Sequence, residues 1–465
     1  MASKSKKRYL ITAAQNGCDV NEEFWGSLQS YLSYNPDTEL VVLPIFYRKN
    51  KDNDWFDCPI DEYIADRSFS INDHVMAIVG QHSLPTSANP IPSVIKAIPS
   101  HKSIIVAGNR IGLETSATPH YKLPKILAST GVCTDRNYSD SSAGARASLW
   151  HTFGALVVEV DGDEFHMRQI EAEEADGSFQ DLNWIYYPNK RRKKSSVSAI
   201  VTGDTHAQWA DPKVLDATYF HKQSLVSTLK PKFLVWHDLL DFYSRNHHHS
   251  RDDLINYAKH HSGLHNVEDE IKLTLDLVDQ TTKAGMTSVI VPSNHNEALD
   301  RWLREADPRI DPENAAFYHK MKSLQYTHTR ITSTGLVTVD PFAEYAREYM
   351  KKWDQTTFLP RDDSYLIEGI EVGFHGDQGP NGARGNARSF ARVGVRTVVG
   401  HSHSPGIYGT CYQVGTSSRL KLEYNKGPSS WLNTHCIIYP NGKRSLVSII
   451  NGKWRCSLPS DKSGS

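Results

Sequence analysis

Short apolar runs and helix-period segments alternate along most of this chain. Tyr9–Ala14, Leu40–Phe46, Val75–Val79, Ile104–Ala107 and Leu156–Val160 are apolar stretches of strand length. Between the first two, Phe24, Leu28 and Leu32 recur at helical spacing across Asn21–Tyr34, and Asn21 is placed to cap that helix. Residues 1–189 are therefore expected to form a smaller N-terminal α/β domain. It carries few titratable residues at ligand spacing and no phosphate-binding loop, so its role is not legible.

A change of composition follows. Acidic Glu171, Glu173, Glu174 and Asp176 give way to the basic run Lys190, Arg191, Arg192, Lys193 and Lys194. The run reads as a solvated linker at 190–195, with a nucleic-acid-contacting patch or a nuclear address as alternatives. Beyond it, residues 196–465 return to regular alternation. Ser198–Thr202, Phe233–Trp236 and Ser288–Val291 read as strands, and Pro212–Leu229, Val267–Ala284 and Glu297–Glu305 as helices. Helical period continues in Glu313–Leu324, Phe342–Trp353 and the short Asn386–Val393, with strands at Leu366–Phe374 and Thr397–Val399. Asn441-Gly442 and Asn451-Gly452 mark hairpin turns in a β-rich end. The fold class expected is α/β, with two packed sheets flanked by helices.

Composition narrows the functional classes. At 465 residues the chain exceeds one ordinary core. A formal charge of -1 gives no whole-molecule attraction to nucleic acid, so a polyanion would need a local patch or bound metal. The six cysteines lie far apart without a CxxC pair, which argues against a thiolate zinc site and suits a reducing compartment. No run of about 18 apolar residues occurs, so neither a membrane span nor a signal peptide is expected. A soluble, cytoplasmic protein is the expectation.

The chemistry lies in the polar residues that close the strands of the second half. The first strand runs into Gly203-Asp204-Thr205-His206 and the second into His237-Asp238-Leu239-Leu240-Asp241. The third ends at Ser293-Asn294-His295-Asn296-Glu297, the fourth at Gly373-Phe374-His375-Gly376-Asp377, and the fifth at Gly400-His401-Ser402-His403. Carboxyl ends of neighbouring strands converge on one rim, where α/β sheets bind ligands. Alternate residues of an extended segment share a face, so Asp204 with His206, and His401 with His403, can each aim two ligands at one point. A single D-x-H or H-x-H is a common accident. Five such blocks, each after an apolar strand, are not.

In order and spacing the blocks resemble the calcineurin-like metallophosphoesterase superfamily over residues 196–450, whose pattern is D-x-H, G-D-x-x-D, G-N-H-D/E, a lone His and G-H-x-H. The resemblance implies a β-sandwich flanked by helices that holds two divalent cations. Asp204, His206 and His403 would bind one ion, Asn294, His375 and His401 the other, and Asp238 would bridge them. Asp238 and Asp241 of the second block join His295 in the catalytic set. His237 and Ser293 stand where the family has glycine, and Asn296 separates His295 from Glu297, which leaves the partner of His295 open. Oxygen and imidazole donors without thiolate favour Mn²⁺, with Fe, Zn²⁺ or Mg²⁺ as alternatives. Ions about 3.5–4 Å apart would hold a hydroxide for in-line attack on phosphorus. His295 would protonate the departing oxygen; a structural histidine is the other reading.

Three features bear on the phosphoester. His247-His248-His249, flanked by Arg245 and Arg251, is either a solvated loop or a substrate-contacting rim. Gly376, Gly379, Gly382 and Gly385 make a flexible stretch carrying Arg384 and Arg388, without the Gly-Lys-Ser/Thr of a P-loop; it suits a cationic lip over a phosphate backbone. Trp209, Tyr219, Phe220, Trp236, Phe242 and Tyr243 lie nearby, mostly as core, with one or two able to stack on bases. The segments HDLLDFYSRNHHH and SSWLNTHCIIYPNGKRSLVSIINGKW are similar to phage-encoded metallophosphoesterases of the DNA-transfer nuclease type. That narrower resemblance extends over the first domain. It implies a Mn²⁺-dependent DNase with DNA as partner, acting in the cytoplasm of an infected bacterium. The near-neutral charge stands against it. The alternatives are a phosphomonoesterase or cyclic-nucleotide phosphodiesterase with a small-molecule pocket, or a non-catalytic binding or assembly protein. The last is disfavoured, because every expected ligand type is present.

Overall fold

Register and chain order put the apolar runs into two stacked layers of sheet. The computed structural model describes residues 6–47, 55–80, 84–98, 101–120, 122–333 and 335–456. In the first layer, Thr38–Ile45, Lys7–Gln15, Gly154–Asp161 and Glu164–Glu171 are neighbours in that order. A six-stranded sheet extends the layer, ordered Thr356–Phe358, Thr287–Ile290, Phe233–Trp236, Ala199–Val201, Thr434–Ile438 and Arg444–Ser448. The two sheets meet at Gln169, whose N–H donates to the Ser445 hydroxyl at 3.0 Å and whose side-chain oxygen accepts from the Leu446 N–H at 2.8 Å. The second layer has ten strands. Its order is Leu366–Ile367, Ile370–Glu371, Arg396–Val399, Cys411–Gln413, Gly406–Tyr408, Gly108–Ser116, Lys125–Gly131, Ser103–Val106, Val75–Ile78 and Phe69–Ser70.

Burial explains why these runs become strands. The inner faces share one apolar core that draws on Ile11, Val41, Val75 and Ile105 as well as Val201, Val235 and Val398. Strands covered on both faces read as continuous apolar runs, and each fully buried Leu, Ile or Val contributes about 1.5–3 kcal/mol. Helix Glu22–Tyr34 covers the four-stranded sheet with Phe24, Leu28 and Tyr31, and Asn21 caps it by accepting from the Phe24 N–H. Helices Val267–Thr281, Asn294–Glu305, Pro312–His328 and Pro341–Tyr349 cover the six-stranded sheet. Short helices Ser93–Ala97 and Ala387–Phe390 cover the ten-stranded one. The expected sandwich of packed sheets flanked by helices is the fold observed.

The structure departs from expectation in four places. The basic run at 190–195 is not a linker: Arg191–Lys194 pairs antiparallel with Trp184–Tyr187. Two of its charges lie over aromatic rings, Arg192 4.1 Å from Trp184 and 4.3 Å from Tyr34, and Arg191 4.3 Å from Tyr187; cation–π contact adds to the strand pairing. Nor does the chain divide cleanly there into domains 1–189 and 196–465. The ten-stranded sheet joins Gly108–Ser116 to Gly406–Tyr408 through Leu113 and Ile407, because the common core needs strands from both halves. Pro212–Leu229 breaks into Pro212–Leu215, a wider turn at Asp216–Phe220, and Leu225–Leu229 capped by Ser224. Leu366–Phe374 folds back as the hairpin Leu366–Ile367 with Ile370–Glu371, where Gly369 takes φ +71°. None of the six cysteines is bridged. Among the described residues no helix is long and apolar enough to cross a membrane.

Candidate metal centre

Loops leaving the carboxyl ends of strands in both layers converge on one point. The six-stranded sheet supplies Asp204 and His206 after Ala199–Val201, Asp238 and Asp241 after Phe233–Trp236, and Asn294 and His295 after Thr287–Ile290. The ten-stranded sheet supplies His375 after Ile370–Glu371, and His401 and His403 after Arg396–Val399. Two glycines make the approach possible. A Cβ on Gly203 would lie 2.8 Å from the Thr416 backbone, and one on Gly400 would collide with Asp204 Oδ1. The backbone is held in the left-handed region at His206 (φ 43°), Asp238 (44°), His401 (74°) and His403 (58°). Non-glycine residues in that region are strained, and such strain gathers at functional sites.

The side chains form two groups that share one carboxylate. His206 Nδ1 lies 2.7 Å from Asp241 Oδ1, so Nδ1–H donates to the carboxylate and Nε2 is the ring atom left to face a cation. That Nε2 lies 3.0 Å from His403 Nε2 and 3.5 Å from Asp238 Oδ2. His403 Nε2 lies 3.2 Å from Asp204 Oδ2, and His375 Nε2 3.2 Å from Asp238 Oδ2. His206, Asp238 and His403 bring ligand atoms within 4.8 Å of one another, and so do Asp204, Asp238 and His375. Asp238 belongs to both. Both Asp204 carboxylate oxygens, Asp238 Oδ1, Asn294 Oδ1, both His375 ring nitrogens and His403 Nδ1 are buried without a hydrogen-bond partner. Buried polar atoms are rarely left so. Oxygen and imidazole donors orphaned around one point fit divalent cations. The His401 ring, half-buried, stands edge-on to His375 at 5.3 Å.

The local field is strongly coupled. Burial works to raise Asp238, yet the imidazoles of His375, His295 and His206 hold it well below the usual carboxylate range. Asp204 is likewise pushed up by burial but brought below its ordinary value by His403 and His375. Burial would lower His206, and the carboxylates of Asp238, Asp241 and Asp204 outweigh it, raising the imidazole to about 9.

The two departures from the glycine pattern have structural answers. Ser293 caps the Asn294–Glu305 helix: its hydroxyl accepts from the His295 N–H at 3.1 Å, while Asn296 Oδ1 accepts from the Ser293 N–H at 3.1 Å. The intervening Asn296 is thus half of a capping box. Its neighbour Glu297 turns away to Arg361 at 3.2 Å. The partner of His295 is a backbone carbonyl instead, because Nδ1 lies 2.7 Å from the Asp241 oxygen. His237 is fully buried, with its ring 5.6 Å from that of His375; burial, then the neighbouring His375, lowers it to about 4.

Beside the centre opens a cavity of about 750 Å³ whose wall includes Asp241, Asn294 and His295. His247, His248, Trp209 and Tyr243 line it. Tyr219, Trp236 and Phe242 are core. Arg419, Lys421 and Tyr424 also line the cavity; sequence reading missed them because no motif or apolar strand leads into that loop. Arg388 is a correction. It lies 3.2 Å from Glu114 and over the Tyr408 ring, on the wall of a different cavity. Arg384 is exposed and does not line the cavity beside the centre. The glycine stretch is a closed turn rather than a lip, with the Gly385 N–H donating to the Asp377 oxygen at 2.8 Å and the Gly379 N–H to Ala383 at 2.7 Å.

Over 468 aligned residues the chain is 32% identical to protein A1 of Escherichia phage T5, an alignment that covers 97% of this chain and 83% of the relative. No family model matches the chain. Vps29 of Chaetomium thermophilum overlaps 41% of this chain and 98% of its own, at 7% identity and a TM-score of 0.22.

Proposed function

The chain belongs to the family of protein A1 of Escherichia phage T5, and from that premise we propose that it is a phage-encoded, dinuclear metal-dependent phosphoesterase that hydrolyses DNA. The observation that carries the reading is Asp238, shared by two groups of buried ligand residues, among which both Asp204 oxygens and both His375 nitrogens have no hydrogen-bond partner. That arrangement supports a place in the calcineurin-like metallophosphoesterase superfamily. Asp204, His206, His403 and His375 would hold two divalent ions across Asp238, with Asn294 and His401 alongside, and the oxygen-rich set favours Mn²⁺. Bound there, the ions supply Lewis-acid stabilisation of phosphoryl oxygens and a nucleophile at neutral pH.

The chain's own groups divide the remaining work. Asp241 keeps His206 Nε2 turned inward by accepting from Nδ1. His295, with Nδ1 committed to a carbonyl, has Nε2 left to deliver a proton to the departing oxygen. The amino end of the Asn294–Glu305 helix faces the same place and favours phosphate charge. Arg419 and Lys421 neutralise backbone phosphates, Trp209, Tyr243 and Tyr424 offer faces to bases, and His247 and His248 form the rim. Such an enzyme would act in the cytoplasm of the infected host.

A second reading draws on the cavity itself: about 750 Å³ suits a small ligand, so a phosphomonoester or cyclic nucleotide is the competing substrate. One assay separates the two. Purified protein is incubated with plasmid, linear duplex, single strands, a cyclic nucleotide and p-nitrophenyl phosphate, each with Mn²⁺, Mg²⁺ or Zn²⁺. DNA cleavage greatest with Mn²⁺ is expected. Intact DNA with every metal, alongside efficient hydrolysis of a small ester, would overturn the nuclease reading and leave the phosphoesterase one standing. On DNA, binding should weaken steeply with salt. Replacing Arg419 and Lys421 with alanine should lower the slope by about 0.9 for each phosphate no longer neutralised.

A further inference from the structure

A second cavity, of about 510 Å³, lies in the seam where the two halves of the chain share the ten-stranded sheet. Its lining includes five arginines: Arg110 from the first half, and Arg388, Arg392, Arg396 and Arg444 from the second. Glu171 is the one acidic residue in that lining, and it is paired with Lys443 at 2.7 Å. Among the described residues, Arg388 pairs with Glu114, while Arg110, Arg392, Arg396 and Arg444 form no ion pair.

Backbone carbonyls and rings hold several of these guanidinium groups in place. Arg110 donates to the Ala88 oxygen at 2.9 Å and lies over the Trp150 ring. Arg396 donates to the Gly442 oxygen at 3.1 Å. Buried Arg444 donates to Thr397 and Thr410 at 2.8 and 2.9 Å and lies over Tyr412. A guanidinium has five N–H donors, so each of these retains donors beyond those it spends on the fold. Gathering five guanidinium groups around one lining carboxylate leaves an excess of positive charge that an anion would offset. The forked donors match phosphate oxygens. Trp150 and Tyr408 supply aromatic surface on the same wall, and a cavity of this size holds one nucleotide where a strand would need a continuous groove.

We propose that this seam cavity is a binding site for a mononucleotide, its phosphate held by the arginines and its base against Trp150 and Tyr408. The site is separate from the metal centre. Arg396 opens the strand Arg396–Val399 while His401 lies beyond its other end. The proposal does not rest on the phosphoesterase reading.

Metal-free protein in a chelator, titrated calorimetrically, keeps the metal centre from binding phosphate through its ions. The probes are 5′-dAMP, ribose 5-phosphate and inorganic phosphate. The expected result is saturable binding of 5′-dAMP, at least tenfold tighter than either base-free probe, and weakened at least tenfold by Arg392→Ala with Arg396→Ala. Should that pair lower the folded yield, Arg392→Gln alone, which removes one charge and no ion pair, should weaken binding severalfold at an unchanged melting temperature. Absence of 5′-dAMP binding would overturn the proposal. So would binding that survives the arginine changes, or equal affinity for all three probes, which would mark a site for phosphate without a base.

Discussion

In the proposed enzyme Asp241 would act on the centre through His206, to which it is hydrogen-bonded, and that role can be measured. Removing the carboxylate in Asp241→Ala frees the Nδ1 side of His206 and should weaken Mn²⁺ binding by about 10–100-fold. Asp241→Asn, whose amide oxygen can still accept from Nδ1, should recover part of that loss in calorimetric titration. Equal affinity in all three proteins would show that His206 needs no such support. His295→Ala makes a different expectation, since its proposed role is proton delivery rather than metal ligation. Metal content should stay at the native level while turnover on an alkyl phosphodiester falls about 10²–10⁴-fold. An activated aryl ester, which needs little protonation, should lose much less; matched losses on both would reduce His295 to a structural role. At this scale the residues that gather at the centre were legible because each follows an apolar strand within a few residues. Arg388 was not: the Glu114 that engages it lies in another strand, far away in sequence.

The helix Asn294–Glu305 shows what an element adds. Its apolar period begins near Glu297, where the sequence suggested it would start, but the cap lies earlier, at Ser293 with Asn296. An asparagine in place of the usual acidic residue of a capping box conceals that start. Ser293→Ala should therefore lower unfolding stability by about 0.5–2 kcal/mol in urea titration. It should also depress turnover, because the N–H that the hydroxyl accepts belongs to His295. No change in either would remove the cap from the account. Several strands escaped sequence reading for a related reason. Gly108–Ser116, Lys125–Gly131 and Glu164–Glu171 include Glu114, Lys125 and Arg168, all buried. Arg168 is accepted in the core because it pairs with Glu159 at 2.9 Å and Asp181 at 2.5 Å. Polarity that is satisfied at long range looks like loop when read locally.

Across the whole molecule, buried neutral histidines set the acid limit of stability. His151, His166 and His435 are lowered to about 4, in each case by burial first. His435 Nδ1 accepts from the Gly203 N–H at 2.9 Å and its Nε2 faces the Thr218 hydroxyl at 2.9 Å, so protonation would break the bond that steadies the approach to Asp204. The unfolded chain takes up these protons first, near the ordinary value of 6.5. Their contribution is therefore full above about pH 6.5 and is lost as pH falls toward 4, by up to about 3 kcal/mol for each histidine. Urea midpoints should decline as pH falls from 6.5 toward 4, and a level profile over that interval would contradict the assignment. The sheet seam through Leu113 and Ile407 bears on how such a protein can be divided or recombined. A gene split near residue 190 would yield two polypeptides, each with one strand edge exposed at the break: that of Gly108–Ser116 in one and of Gly406–Tyr408 in the other. Exposed edges of that kind template association between chains. Each fragment should aggregate when made alone, and the two should be rescued only by co-expression. The half that carries the candidate centre would then not be a portable module, and shuffling between relatives would have to exchange both halves together.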